Sequence, residues 1–156
     1  MRLALYQPDI PQNTGTILRM AACFGMPVDI IRPAGFDISG KALRRSVMDY
    51  GDGLEVIRHD NWNAFFALVS ECTKARIIAV TTKSATNYTD HIFNDHDVLL
   101  LGRETAGLPD EVHAACYARI TIPMVPGMRS LNVAVAAAMV TGEALRQTGR
   151  LDTLGV

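Results

Sequence analysis

Short apolar runs alternate along this chain with stretches of helical periodicity, and a parallel sheet covered by helices is the architecture that accommodates such a rhythm. Residues 2–6, 28–31, 54–57, 76–80, 98–101 and 119–122 read as strands. Behind the first, Asn13 reads as an N-cap, and Ile17, Met20, Ala21 and Phe24 then recur at helical spacing until Gly25 and Pro27 stop the helix. Further helices are expected near 40–49, over 61–71, shortly after Pro109, and over 131–146. The expected fold class is therefore α/β, a mostly parallel sheet flanked by helices. No linker, repeat, low-complexity segment or shift of composition interrupts the 156 residues, which read as one domain.

Several function classes are excluded at this level. The apolar runs fall short of the ~20 residues of a membrane-spanning helix, and the N-terminal residues lack the apolar stretch and cleavage site of an export signal. A cytoplasmic location without membrane association is expected. Cys23, Cys72 and Cys116 are odd in number and widely spaced, which fits buried free thiols rather than disulfides. His59, His91, His96 and His113 show no ligand spacing, so no metal is expected. No GxGxxG or GxxxxGK[ST] fingerprint occurs, which argues against dinucleotide and P-loop chemistry. The formal net charge of −1 speaks weakly against nucleic acid, yet 12 of the 15 basic residues are arginine, the side chain suited to bidentate phosphate contact. Genomic coding bias explains that preference equally well. Lys41, Arg44 and Arg45 form a compact basic patch, an electrostatic footprint for RNA or else a solvated helix face.

In open parallel sheets ligands bind beyond the carboxyl ends of the strands, so the loops that follow strands carry the argument. One loop delivers Asn13 at a helix start and Arg19 on the side of that helix away from Ile17, Met20 and Phe24; alone, these are a cap and a surface charge. A second, 102–109, sets Glu104 between Gly102 and Gly107, whose missing side chains let backbone approach a ligand. A third, 122–132, mixes apolar and polar groups: Ile122, Met124 and Leu131 suit the walls of a flat apolar ligand such as adenine, and backbone amides with Ser130 suit its polar edge. Its plain alternative is a loop folded on the core with Ser130 as a helix cap. The final helix is apolar on nearly every side through Val140, which requires burial inside the domain or against a second copy. Residues 81–96 make a long polar connection, a kind of loop that is often functional.

Together the segments IPQNTGTILR, DYGDGLEVIRHDNW, AVTTK, GRETAGLP and IPMVPGMRSLNVAVA resemble the SpoU-type ribose methyltransferases of the SPOUT superfamily over essentially the whole chain. A compact chain with no separate RNA-binding extension is most similar to the branch that modifies nucleotide 34 of tRNA. Two departures stand out: Arg103 occupies a position where that branch often has proline, and VAVAAA follows Asn132 where members commonly carry serine and asparagine. The resemblance implies a C-terminal trefoil knot formed from about Ile77 onward, which connection rules alone would not propose. It also implies S-adenosylmethionine as cofactor, tRNA as substrate and a homodimer. Carried over by position, Val80, Gly102, Ile122 and Ser130 contact the cofactor, with Met124 and Leu131 near its adenine. Asn13, Arg19, Glu104, Ser130 and Asn132 fall on the positions tied to catalysis, and Arg19 also faces RNA.

The implied activity is transfer of a methyl group to a ribose 2′-hydroxyl, at the wobble cytidine or a modified uridine. Such a displacement needs in-line placement and removal of the hydroxyl proton. A guanidinium stays protonated at neutral pH, so Arg19 is expected to hold a phosphate and stabilise the developing alkoxide rather than take the proton. Glu104 is expected to orient the pocket or a neighbouring arginine, and the two asparagines to fix groups by hydrogen bonds. The rival readings are a silent RNA-binding module of the same fold, a methyltransferase for another RNA position, and an α/β enzyme with another small ligand.

Overall fold

Among the described residues, the apolar runs at Arg2–Tyr6 (β1), Val28–Ile31 (β2), Val56–His59 (β3), Ile77–Val80 (β4), Val98–Leu101 (β5) and Ala118–Ile120 (β6) pair side by side into one parallel sheet. Its order is β3, β2, β1, β5, β4, β6. The structure is a computed structural model that describes residues 1–38, 53–72 and 75–155. The helix expected near 40–49, and with it Lys41, Arg44 and Arg45, lies outside the described residues.

Four helices cover the described sheet: Pro11–Cys23 (α1), Trp62–Cys72 (α2), Asp110–Ala115 (α3) and Val133–Gln147 (α4). Because side chains alternate across a strand, each central strand feeds two cores. Leu3, Leu5, Leu99 and Leu101 join Ile17, Leu18, Ala137, Val140 and Leu145 beneath α1 and α4. On the other face Ala4, Tyr6, Val98 and Leu100 meet Phe65, Val69 and Val112 beneath α2 and α3. Strands buried on both faces need continuous apolar runs, and that is why these were legible as strands.

Several boundaries differ from the sequence expectation, each for a physical reason. Helix α1 begins at Pro11, whose missing N–H is harmless in the first turn, with Ile10 at the cap position; Asn13 lies inside the helix and is not its cap. Strand β3 runs two residues later than expected, because His59 pairs with Ile31 at its end and its Nε2 lies 2.6 Å from the buried Asp29 carboxylate. Strand β6 stops at Ile120; the Thr121 N–H instead bonds to Thr86 O at 2.9 Å, so Ile122 belongs to the loop. Helix α4 starts at Val133 and is capped by Asn132, not Ser130. Cys23 is exposed and Cys116 only half-buried, against the expectation of buried thiols.

The long 81–96 connection contains no helix and lies along the chain leaving β6. Tyr88 N donates to Thr121 O at 2.9 Å, and Thr81 N to Ile120 O at 2.9 Å. The far end of α4 reaches the same connection: Gln147 accepts from Phe93 N at 3.0 Å and donates to His91 O at 3.0 Å. No described helix is long and apolar enough to cross a membrane.

Candidate active site

The sheet order reverses between β1 and β5, where α1 and its strand lead one way and the second half of the chain the other. Such a switch point opens a crevice at the carboxyl ends of the strands. The loops after β1, β4, β5 and β6 converge there around a cavity of about 470 Å³. Its size falls in the ~300–1,000 Å³ range of small-molecule sites. Val80, Gly102, Ile122, Met124, Ser130 and Leu131 all line it, as do Asn13, Glu104 and Asn132. Arg19 is the exception: it is exposed on α1 and is not among the lining residues.

Gly102 is required by close approach. A Cβ built there would sit 2.7 Å from the Gly107 carbonyl carbon and 2.9 Å from Leu108 N, because the loop folds back on itself. Reciprocal backbone bonds close it, Arg103 N to Gly107 O at 3.1 Å and Gly107 N to Arg103 O at 2.8 Å. Gly107 holds a positive φ of 69°, which glycine adopts without penalty.

One hydrogen-bonded chain joins three loops. Both carboxylate oxygens of Glu104 are occupied, Oε2 by Asp9 N at 2.8 Å and Oε1 by Asn13 Nδ2 at 3.1 Å. Asn13 Oδ1 accepts from Asn132 Nδ2 at 3.0 Å, and Asn132 Oδ1 accepts from Ala134 N at 2.8 Å as the cap of α4. The ends fix every amide in between: a carboxylate can only accept and helix N–H groups can only donate, so neither asparagine can flip without losing two bonds. Both asparagines thus bridge loops by hydrogen bonds, and Asn13 serves Glu104 instead of its own helix start.

Sequence reading missed the clamp behind this chain. The Asp9 carboxylate takes Arg103 Nη2 at 2.7 Å and the Thr105 hydroxyl at 2.5 Å, tying the loop after β1 to the loop after β5. Hydrogen bonds from Arg103 and Thr105 hold the Asp9 carboxyl below its ordinary range. Arg103 reaches Asp9, 94 positions earlier; the sequence marked Arg103 only as a departure from the family pattern and gave no sign of this partner. Also missed were Lys83, His113 and Arg129, which line the cavity from the loop after β4, from α3 and from the loop after β6. No cluster of three or more metal-binding side chains exists among the described residues.

Comparison with known proteins places this geometry. The family model described as "SpoU rRNA Methylase family" matches residues 1–142. A tRNA (cytidine(34)-2′-O)-methyltransferase of Beijerinckia indica is 56% identical over 149 residues, covering 96% of this chain and 92% of that protein. Among solved structures, one described as "Structural insights into the 2-OH methylation of C/U34 on tRNA" superimposes with a TM-score of 0.87 at 40% identity, covering 94% of each chain. The SpoU methyltransferase AviRb from Streptomyces viridochromogenes, in complex with the cofactor AdoMet, gives a TM-score of 0.85 at 26% identity, covering 94% of this chain and 60% of that one.

Proposed function

The chain belongs to the SpoU rRNA methylase family, and from that premise we propose that it transfers a methyl group from S-adenosylmethionine to the ribose 2′-hydroxyl of wobble nucleotide 34 in tRNA. One observation carries this reading: all six residues expected to touch the cofactor, Val80, Gly102, Ile122, Met124, Ser130 and Leu131, line a single cavity of suitable size. The cavity fits that group on its own terms. Ile122 and Leu131 offer apolar walls for a flat ring, and Gly102 leaves backbone where a Cβ would collide. When bound, the cofactor supplies a methyl group activated by a positively charged sulfur.

What the chain contributes is placement. The Asp9, Glu104, Asn13 and Asn132 chain ties together the loops after β1, β5 and β6, whose Gly102, Ser130 and Leu131 line the cavity. Preorganisation of this kind lowers a barrier without reorganisation at the moment of reaction. Arg19 would hold a phosphate beside the reacting hydroxyl and stabilise its developing negative charge.

Arg19 lies off the cavity of its own chain, and the apolar surface supports a route from a second copy. Val135 and Met139, four apart on α4, are exposed, as are Leu131 in the loop just before that helix and Ile10 at the start of α1. Ile10 and Leu131 also line the cavity, so the face a partner would cover runs into the site. A two-fold dimer built there sets the partner's α1 against this cavity. The same reading includes a trefoil knot, and contacts of the 81–96 connection with Thr121 and Gln147 are compatible with it. The cytoplasm, which holds the tRNA, is the compartment this activity needs.

Mapping 2′-O-methyl groups in tRNA from a deletion strain tests the proposal. Nucleotide 34 is expected to be unmodified and to be restored by the wild-type gene; intact methylation at 34 with a loss elsewhere in RNA would overturn the assigned position.

A further inference from the structure

Beside the cofactor cavity, and sharing Lys83 and His113 with it, lies a groove of about 820 Å³ between the start of the 81–96 connection and the turn from α3 into β6. Its lip is built in. The Ser84 hydroxyl donates to Arg119 O at 2.7 Å, Thr86 N donates to Ser84 Oγ at 3.1 Å, and Thr121 N closes onto Thr86 O. Its chemistry is cationic and aromatic. Arg119 is exposed and makes no ion pair among the described residues, and Lys83 has only the exposed Asp110 at 3.3 Å. Tyr117 is 67% exposed, with the Arg76 guanidinium 4.9 Å from its ring centre and anchored there by Asp97 at 2.7 and 2.8 Å.

His113 sits in the wall shared with the cofactor cavity, only 5% exposed, and neither ring nitrogen has a hydrogen-bond partner among the described residues. A buried donor left unpaired is costly, and a ligand oxygen would satisfy it. Burial pushes the imidazole pKa down, and the nearby Lys83 and Arg119 push it further while Asp110 opposes them, so the ring is neutral at pH 7 and keeps one N–H to donate. Cys116, also in the groove, is no nucleophile, since burial pushes its thiol up to about 11.

We propose that this groove holds the RNA strand adjoining the reacting nucleotide, with a backbone phosphate between Lys83 and Arg119, the His113 N–H on a phosphate or ribose oxygen, and an unstacked base against Tyr117. The proposal rests on the RNA methyltransferase reading above. Single-stranded RNA is held in this way, by cations along its backbone and aromatic rings under its bases. Continuity with the cavity places the strand where its next ribose reaches the methyl group.

The test is equilibrium binding of unmodified tRNA across a salt series, with protein saturated by S-adenosylhomocysteine. Arg119→Ala removes one phosphate contact and should flatten the slope of log affinity against log salt by about 0.7. Tyr117→Ala should weaken binding about fivefold or more with the slope unchanged, as lost stacking does. Arg58→Ala, on β3 about 24 Å away across the sheet, should match wild type. Both groove variants should keep wild-type affinity for S-adenosylhomocysteine by calorimetry. Wild-type tRNA binding with Arg119→Ala and Tyr117→Ala both within twofold overturns the groove alone, as does an equal loss in Arg58→Ala. No tRNA binding by wild type overturns the groove and the RNA reading together.

Discussion

Gly102→Ala puts the cofactor assignment at risk through a single methyl group. The added Cβ would lie 2.7 Å from Gly107 C, 2.9 Å from Leu108 N and 3.0 Å from Gly107 Cα, all backbone atoms that cannot rotate away. Ordinary carbon contacts sit near ~3.5–4.0 Å, so the 102–108 turn must open by roughly 1 Å. Its two reciprocal Arg103 and Gly107 bonds resist that opening. Overpacking of this kind costs about 1–3 kcal/mol. If the turn relaxes in the free protein and must close again around the ligand, the cost appears in affinity, roughly 5- to 150-fold. Calorimetric titration with S-adenosylhomocysteine measures it, with circular dichroism to show a folded variant. Gly142→Ala, within α4 and with nothing among the described residues within 4 Å of its Cβ, is the control. Affinity of folded Gly102→Ala within twofold of wild type would refute both the fit of the turn and its role in holding the cofactor.

Wild type should be a dimer by light scattering at micromolar concentration, and Val135→Asp with Met139→Glu should yield folded monomers; a wild-type monomer contradicts the α4 face. If Arg19 acts across the dimer, an exchanged equal mixture of Arg19→Ala and Gly102→Ala, assayed at cofactor concentrations too low to load the Gly102→Ala site, should recover about a quarter of wild-type turnover, since half the dimers then hold one complete site. Recovery of nothing from demonstrably mixed dimers would place Arg19 in its own chain's chemistry or outside it. Asp9→Asn should lower the melting temperature at neutral pH. Because the folded Asp9 pKa is depressed below 3.8, its contribution is fully present above that value and fades as pH falls through the lowered pKa. The difference from wild type should thus hold from pH 7 to about 5 and close in stronger acid, and a gap that widens in acid would reverse the argument.

Strands and most helices were legible because a sheet buried on both faces demands unbroken apolar runs, as in Val98–Leu101. The loops after strands pointed to the cavity for a general reason, the crevice at the carboxyl ends of a parallel sheet. What local reading lost was long-range pairing. His59 looked like a residue beyond a strand until Asp29, 30 positions earlier, appeared as its partner. Asn13 looked like a cap because cap propensity is local, whereas its two bonds reach Glu104 and Asn132, 91 and 119 residues away. Strand order was equally invisible, since β1 meets β5 only through the fold.

The same long-range chain makes the two asparagines unequal, although they touch each other. Asn132→Asp keeps the oxygen that caps α4 but turns a carboxylate oxygen toward Asn13 Oδ1; the group it faces is a neutral amide and not a second carboxylate, so a milder effect than at Asn13 is expected. Asn13→Asp keeps the acceptor for Asn132 but replaces the donor facing Glu104 Oε1, 3.1 Å away, with a second carboxylate oxygen. Two like charges near ~4 Å repel by roughly 4 kcal/mol in a partly exposed site, comparable to the cost of protonating a carboxyl at neutral pH. The pair then shares a proton as the solution is acidified, and that proton restores the missing donor. Asn13→Asp should therefore be strongly impaired near pH 8 and recover part of its turnover toward about pH 6, while Asn132→Asp keeps the wild-type profile. Parallel pH profiles for the two variants would mean that the Glu104 contact does not position the site, leaving Asn13 a residue of packing alone.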